Sequence, residues 1–147
     1  MLSLEESLKI LKETDALIEG HFILSSGLHS AQYIQCAKLL SNPNKADKIC
    51  SSLAEKIKNE FNNIDIILSP AMGGIIIGYE IGKKINKNTI FCERVNGKFE
   101  LRRGFNISKN SNVLIVEDVI TTGKSSLESS KLVLEAEANI LGYACII

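Results

Sequence analysis

Residues 113–125 read Val113-Leu114-Ile115-Val116-Glu117-Asp118-Val119-Ile120-Thr121-Thr122-Gly123-Lys124-Ser125. The first four are apolar and mostly β-branched, as in a strand that is buried on both faces of a parallel sheet. Two acids follow directly, and a polar loop then leads into a helix predicted from about Gly123 to Ala138. A buried strand, a polar loop and a helix in this order predict a ligand site at the carboxyl end of a strand in an α/β sheet.

The polar groups of this stretch suit two parts of one ligand. Carboxylates such as those of Glu117 and Asp118 accept hydrogen bonds from a sugar diol. The loop after them offers hydroxyls and backbone N–H groups at a helix N-terminus, where the helix dipole favours a phosphate. Two acids alone could also cap the helix, but the acids together with the loop predict a ribose 5-phosphate site.

Two common nucleotide-binding motifs resemble parts of the chain and are excluded by spacing. Gly123-Lys124-Ser125 resembles the end of a P-loop, but that motif needs a glycine five residues before Gly123, where Asp118 stands. Gly73-Gly74 does not fit the Gly-x-Gly-x-x-Gly dinucleotide fingerprint. The predicted site is therefore of another kind.

Helix and strand signals alternate along the rest of the chain and predict one α/β domain, residues 1–147. A capping box at Ser3 and Glu6 predicts a first helix that ends at Gly20, and Asn42-Pro43 predicts the start of a second. Strands are predicted at residues 32–36, 64–68, 89–93, 99–101, 113–116 and 143–147, with a hairpin turn at Asn96-Gly97. The expected fold is a central, mainly parallel sheet with helices on both sides. Residues 1–40 form an N-terminal helix and small hood, and residues 41–147 form the core.

The last four residues, Ala144-Cys145-Ile146-Ile147, have the composition of the interior of a buried strand. A strand of this kind usually continues into a turn. Either the sheet has an unusual edge, or the sequence is a shortened form of a longer one.

Composition excludes several classes of function. Seventeen basic and seventeen acidic residues cancel, so no overall positive field attracts nucleic acid or an anionic membrane. The N-terminus lacks the pattern of a signal peptide, and the longest apolar stretch is far shorter than the roughly 20 residues of a spanning helix. We therefore expect a cytoplasmic protein with small-molecule or protein partners. The cysteines form no Cys-x-x-Cys pair, so neither a zinc site nor a redox motif is predicted; they are Cys36, Cys50, Cys92 and Cys145.

Residues 113–125 resemble the motif with which type I phosphoribosyltransferases bind 5-phosphoribosyl 1-pyrophosphate (PRPP). Residues 20–22, 25–30 and 33–35 resemble the N-terminal hood of the orotate phosphoribosyltransferase branch. Ser69-Pro70-Ala71-Met72-Gly73-Gly74 resembles its pyrophosphate loop, and residues 93–94 and 101–105 are similar to members with a shorter loop. The resemblance covers nearly the whole chain and implies the type I phosphoribosyltransferase fold.

The resemblance also implies the roles of individual residues. Glu117 and Asp118 would hold the ribose hydroxyls and, with Arg94, would act in catalysis. Orotate would be contacted by residues of the hood and of the phosphate-binding loop, namely Ser25, Ser26, Gly27, Tyr33 and Thr121. PRPP would be bound by a larger set: Ala71, Met72, Gly73, Gly74, Arg94, Glu117, Asp118, Val119, Ile120, Thr121, Thr122, Gly123, Lys124 and Ser125.

The implied reaction joins PRPP and orotate to give orotidine 5′-phosphate and pyrophosphate, in pyrimidine biosynthesis. Mg²⁺ would enter on PRPP without direct protein ligands, and the enzyme would be a homodimer. Two alternatives keep the PRPP site: a purine phosphoribosyltransferase and a non-catalytic regulator that senses PRPP. Many members of the branch carry lysines at the positions of Ser25 and Gly73 and a long mobile loop in place of residues 95–98. The candidates for the missing loop cation are Lys98, Arg102 and Arg103.

Overall fold

The computed structural model describes residues 1–24 and 26–147, so Ser25, an expected contact of orotate, lies outside the described residues. Within them the chain forms five helices and seven strands. The helices are α1 (Leu4–Glu13), α2 (Cys36–Leu40), α3 (Pro43–Glu60), α4 (Gly73–Ile85) and α5 (Lys124–Glu135). The strands are β1 (Leu17–Ile23), β2 (His29–Ile34), β3 (Ile66–Pro70), β4 (Asn88–Val95), β5 (Lys98–Leu101), β6 (Asn112–Glu117) and β7 (Asn139–Cys145).

Five of the strands form a central sheet in the order β5-β4-β3-β6-β7. β3 runs parallel to β4 and to β6, and β6 runs parallel to β7, whereas β5 is antiparallel to β4. Most residues of β3 and β6 are buried, as their apolar sequences predict. The predicted α/β class with a mainly parallel sheet is confirmed.

The alternation of side chains along β3 and β6 divides the core into two layers. Ile67 and Leu114 pack against α3 and α4 on one face of the sheet. Leu68 and Ile115 pack on the other face with Val133 of α5. Burial of each such side chain contributes about 1.5–3 kcal/mol. The two layers therefore hold the carboxyl ends of both strands in fixed positions.

Glycines allow α4 to lie close to the sheet. A Cβ atom at Gly78 would overlap Oγ of Ser69, and one at Gly82 would overlap Oγ1 of Thr89. The Thr89 hydroxyl also donates to the carbonyl of Gly78 over 3.0 Å. This contact fixes the position of α4 and, with it, the loop that connects β3 to α4.

The N-terminal segment departs from the prediction at the end of its first helix. α1 begins with the predicted capping box, in which Ser3 and Glu6 bond each other's backbone N–H groups. The predicted continuation to Gly20 is wrong, because Asp15 takes a left-handed conformation with a φ of 52° and Leu17 begins β1. β1 and β2 pair as a separate antiparallel sheet, which occupies the segment predicted to be the hood.

Other predicted boundaries are shifted too. α5 ends at Glu135, three residues before the predicted end at Ala138. Cys36, expected at the end of a strand, is the first residue of α2. β3 begins at Ile66, two residues later than expected. β7 begins at Asn139, four residues earlier than expected, and its pairing with β6 continues to Cys145. The division of the chain at residue 40 stays a prediction. None of the helices in the described part of the chain combines the length and apolar character needed to cross a membrane.

Candidate active site

The carboxyl ends of β3 and β6 lie side by side, and each continues into a loop that the sequence singled out. The loops touch: a Cβ atom at Gly73 would lie 2.5 Å from Oδ1 of Asp118. The structure thus brings residues 71–74, the predicted pyrophosphate loop, against the acids predicted to hold the ribose. The peptide bond between Ala71 and Met72 in this loop is cis.

Two helices begin at this edge of the sheet without side-chain caps. α1 is capped by Ser3, and α3 is capped by Asn42. By contrast, α4 and α5 have no side-chain hydrogen bond at the cap and no acid in the first turn. Unsatisfied N–H groups and the positive end of the helix dipole favour anions at such positions. The site therefore offers two places suited to phosphate groups, one at each helix.

The two acids are held in different ways. The carboxylate of Glu117 accepts a hydrogen bond from Oγ of Ser126 over 2.6 Å. Burial raises the pKa of Glu117, and the charge of Asp118 raises it further, whereas the bond from Ser126 opposes the shift. Asp118 is anchored by its carbonyl, which accepts bonds from the N–H of Ile146 over 3.2 Å and from the thiol of Cys36 over 3.8 Å.

The Cys36 thiol joins the end of the hood to the acid pair. Burial raises its pKa to about 12, with further contributions from the charges of Asp118 and Cys145. The thiol therefore keeps its proton at neutral pH and remains a donor to Asp118. Through this bond the start of α2 and the carboxyl end of β6 are held together.

The loop between β6 and α5 encloses a small cavity of about 50 Å³. Gly123 ends the loop in the left-handed region, with a φ of 74°, and α5 begins at the next residue. The cavity is lined by Glu117, Val119, Ile120, Thr121, Thr122, Gly123, Lys124 and Ser125. All eight were predicted to bind PRPP, and the structure groups them around one space.

The Arg94 side chain is held by α5 and by the β4–β5 hairpin. Its Nη2 donates to Oε2 of Glu128 in α5 over 2.5 Å, and its Nη1 donates to the carbonyl of Gly97 over 3.0 Å. Its guanidinium also lies 4.1 Å from the centre of the Phe99 ring. The contact of Arg94 with pyrophosphate stays a prediction.

The predicted orotate contacts lie on the β1–β2 hairpin. Ser26 and Gly27 form its tip, where the N–H of Gly27 donates to the carbonyl of Leu24 over 2.8 Å. Tyr33 is 40% exposed, and its ring lies 5.6 Å from that of Phe22. An exposed aromatic ring of this kind is available to stack against a planar base.

Sequence reasoning missed Ser126 and Cys36, which support the two acids. Their signal is weak, because each is a small residue in an unremarkable context. A weak sequence signal for Ser126 exists in α5, where Ser126, Ser129 and Ser130 are all buried. Their spacing of three and four residues places three hydroxyls on the buried face of one helix, and such a face is usually apolar.

A family model for the phosphoribosyl transferase domain matches residues 36–147. Orotate phosphoribosyltransferase of Caldicellulosiruptor saccharolyticus is 48% identical over 143 residues, which are 97% of this chain and 74% of that protein. The crystal structure of orotate phosphoribosyltransferase from Aeropyrum pernix has a TM-score of 0.78 at 22% identity, covering 92% of this chain and 77% of that chain. Adenine phosphoribosyltransferase from Saccharomyces cerevisiae has a TM-score of 0.73 at 22% identity, covering 92% and 86%. Both structures share the fold, the predicted resemblance is confirmed, and the chain belongs to the phosphoribosyltransferase family.

Proposed function

We propose that the chain transfers the 5-phosphoribosyl group of PRPP to orotate, giving orotidine 5′-phosphate and pyrophosphate in pyrimidine biosynthesis. The observation that carries this proposal is the 48% identity, over 97% of the chain, to a protein named orotate phosphoribosyltransferase. The geometry at the ends of β3 and β6 is consistent with it, because a ribose with phosphates at two positions needs two anion sites flanking a pair of acids.

In the proposed complex, the 5-phosphate lies in the loop between β6 and α5, where the N–H groups of the first turn of α5 point outwards. The pyrophosphate lies at residues 71–74, before the uncapped N-terminus of α4. Glu117 and Asp118 accept hydrogen bonds from the ribose hydroxyls between these two positions.

The residues can also stabilise the charges that the reaction creates. When the bond from C1 of the ribose to pyrophosphate breaks, positive charge grows on the sugar and negative charge grows on the leaving oxygens. The carboxylates of Glu117 and Asp118 face the sugar, and the N–H groups of α4 face the leaving group. Groups fixed in this way are typically worth roughly 10²–10³ in rate each.

We propose that Mg²⁺ reaches the site on PRPP. No group of three His, Cys, Asp or Glu side chains within residues 1–24 and 26–147 is arranged to hold a metal ion. Mg²⁺ dehydrates reluctantly, keeps several waters and binds substrate phosphates, so PRPP can carry it into the site without direct protein ligands. When bound, the ion would offset the charge of the pyrophosphate.

For the base, the proposal places orotate under the hood, against Tyr33, Ser26, Gly27 and Thr121. Ser25 belongs to the same prediction, although it lies outside the described residues. The adenine enzyme from yeast has a similar fold, so the base has to be decided by assay. A cytoplasmic location also stays a prediction, which cell fractionation would test.

A homodimer is the proposed assembly. Three large apolar side chains are exposed in a row from the pyrophosphate loop along α4: Met72 is 84% exposed, Ile76 52% and Tyr79 66%. Their spacing of four and three residues places them on one helix face. If this face is the interface, light scattering will give a dimer for the native chain and a monomer for Ile76→Asp. A native monomer would contradict the proposal.

The deciding assay follows pyrophosphate release from PRPP and Mg²⁺ with orotate, adenine, hypoxanthine, guanine or uracil in turn. We expect turnover with orotate and with none of the other four bases. Turnover of a purine but not of orotate would overturn the proposal, and binding of PRPP without turnover of any base would favour a regulator. Asp118→Asn should raise the KM for PRPP, whereas Asp47→Asn, in an exposed ion pair with Lys84, should not.

A further inference from the structure

A bidentate ion pair joins the hairpin strand β4 to the turn after β5. Nε of Arg103 lies 2.7 Å from Oε2 of Glu93, and Nη2 lies 2.9 Å from Oε1. The backbone of Arg103 is left-handed, with a φ of 58°, and its guanidinium also lies 5.7 Å from the centre of the Phe91 ring. The parallel fork of hydrogen bonds fixes the direction of the guanidinium.

This ion pair lies beside the predicted pyrophosphate loop. The register of β3 and β4 pairs Pro70 with Cys92, and the N–H of Ala71 donates to the carbonyl of Cys92 over 2.8 Å. Glu93 is the next residue along β4, so its backbone is adjacent to the start of residues 71–74.

The ion pair also lies on the same face of the sheet as α4. Thr89 contacts α4 through its hydroxyl, and side chains two residues apart on a strand share a face. Phe91 and Glu93 therefore face the α4 side, and so does the guanidinium that they hold. This is the side on which α4 begins, directly after the loop.

The other cations of the hairpin are placed differently. Arg94 points to the opposite face, where it bonds Glu128 of α5. Lys98 pairs with Val95 at the tip of the hairpin, three residues beyond the Pro70–Cys92 pair, or about 10 Å at the rise of a strand. Arg102, the remaining candidate, forms no ion pair within residues 1–24 and 26–147. Among these four cations, Arg103 is the one that a carboxylate holds on the α4 side at the level of the loop.

The surroundings of Glu93 explain why a cation is needed there. Glu93 pairs directly with Glu100 across β4 and β5, and like charges in that position repel each other. Arg103 lowers the pKa of Glu93 through their hydrogen bond, so the carboxylate stays charged. The charges of Arg103 and Arg102 lower that pKa further, so Arg103 is held by a carboxylate that remains ionised.

Arg103 has hydrogen-bond donors left for a ligand. A guanidinium carries five N–H groups, and Glu93 uses two of them, one on Nε and one on Nη2. The Arg103 side chain is 60% exposed, whereas that of Glu93 is 19% exposed. The free N–H groups can therefore reach a bound anion while the pair stays intact.

We propose that Arg103 contacts the pyrophosphate group bound at residues 71–74, and that Glu93 is the positioning residue that directs it. This inference rests on the proposed function and extends it, since it selects one of the candidate cations and supplies the charge that the glycine at position 73 does not offer.

The test measures binding of pyrophosphate and PRPP, each with Mg²⁺, by calorimetry. Arg103→Gln should weaken the binding of pyrophosphate about 10- to 100-fold, the effect of losing one charged hydrogen bond, and Arg103→Lys should restore part of it. Lys109→Gln is the matched control, because it also breaks an exposed ion pair, with Glu137, at the opposite end of β6. Circular dichroism establishes that each variant is folded.

The double variant Glu93→Gln/Arg103→Gln separates the proposal from a purely structural role. If Arg103 only neutralises Glu93, removing both charges should return pyrophosphate binding to the native value, and that result would overturn the inference. We expect the double variant to bind as weakly as Arg103→Gln. If Arg103→Gln binds pyrophosphate normally while the native chain turns over orotate, the inference fails and the proposed function stands. If the native chain binds neither PRPP nor pyrophosphate, both fail.

Discussion

The carboxylate of Asp118 occupies the space that a side chain at Gly73 would need: a Cβ atom there would lie 2.5 Å from Oδ1 and 2.7 Å from Oδ2. Atoms in ordinary contact stay more than 3 Å apart, so only glycine leaves this carboxylate where it is. Many members of the orotate branch have lysine at this position. In this chain the carboxylate of Asp118 fills the space that the lysine side chain would occupy. The positive charge for the pyrophosphate therefore has to come from another residue.

Gly73→Ala should therefore impair the site more than the fold. The new methyl group pushes against the end of a short side chain, which can rotate away at little cost in stability. We expect the KM for PRPP to rise about 10-fold or more, as for the loss of a charged hydrogen bond, with little change in Tm. Gly142→Ala is the control, because its Cβ would lie 2.6 Å from the Phe61 ring. It should lower the Tm and leave the KM for PRPP unchanged.

Glu117→Gln should stabilise the folded chain at neutral pH while reducing activity. Burial raises the pKa of Glu117 in the folded state, so folding favours its protonated form. The native chain therefore loses stability as the pH rises from the usual glutamate pKa through the raised pKa of Glu117. The Glu117→Gln variant does not lose this stability, because glutamine is neutral at every pH. Melting curves from pH 4 to 8 should show a Tm advantage for Glu117→Gln that grows with pH. An advantage that is constant or shrinks would show that burial of the charge is not the cause.

Gly123→Ala should weaken the binding of inorganic phosphate and lower stability by about 1–2 kcal/mol, the cost of a left-handed conformation for an ordinary residue. Apart from its chain neighbours, no atom of the described residues lies within 4 Å of the position of its Cβ, so the effect is conformational. Gly123→Asn should be milder, because asparagine tolerates this conformation. Gly97→Ala, at a φ of 82° in the hairpin turn, should cost similar stability and leave phosphate binding intact. Equal phosphate affinity in Gly123→Ala and the native chain would place the phosphate elsewhere.

Asn42→Ala should lower stability without changing catalysis. The Asn42 side chain accepts a bond from the N–H of Lys45 and caps α3, which is away from the site. Loss of such a cap costs about 1 kcal/mol, or about 2–4 °C in Tm for a chain of this size. Asn106→Ala, at an exposed position after β5, is the control and should melt like the native chain. A changed kcat in Asn42→Ala would mean that α3 affects the active site.

Each part of the fold that could be predicted carries a strong local signal in its own sequence. Residues 113–116 are a short, mostly β-branched run followed at once by polar residues, which favours a buried strand, and the capping box at Ser3 marks the start of α1. Leu17 and Ile18 fit both a helical and a strand pattern, so the end of α1 depended on the pairing of Leu17 with Ile34. The start of β7 was missed because Gly142 weakens its strand pattern. That glycine is explained by the ring of Phe61, which packs over it.

The same distinction applies to the site. The acid pair and the loop after it are contiguous in sequence, so their chemistry could be predicted. The hydrogen bond from Ser126 to Glu117 joins residues on either side of a loop. The ion pair of Glu93 with Arg103 depends on the face of β4 to which Glu93 points and on the turn that follows β5. These relationships exist only once the strands are paired, and spacing alone does not reveal them.

The missing caps of α4 and α5 mean that the ligand completes the secondary structure. Because neither N-cap residue bonds the first turn through its side chain, the opening turns of both helices should exchange their amide hydrogens quickly in the free chain, while the amides of β3 and β6 behind them remain protected. Phosphate or PRPP would supply stronger, charged acceptors and slow that exchange at both helix ends. Substrate would thus be recognised through groups that every residue type except proline carries, so positions in these turns other than Gly73 can vary in side chain while the site is kept.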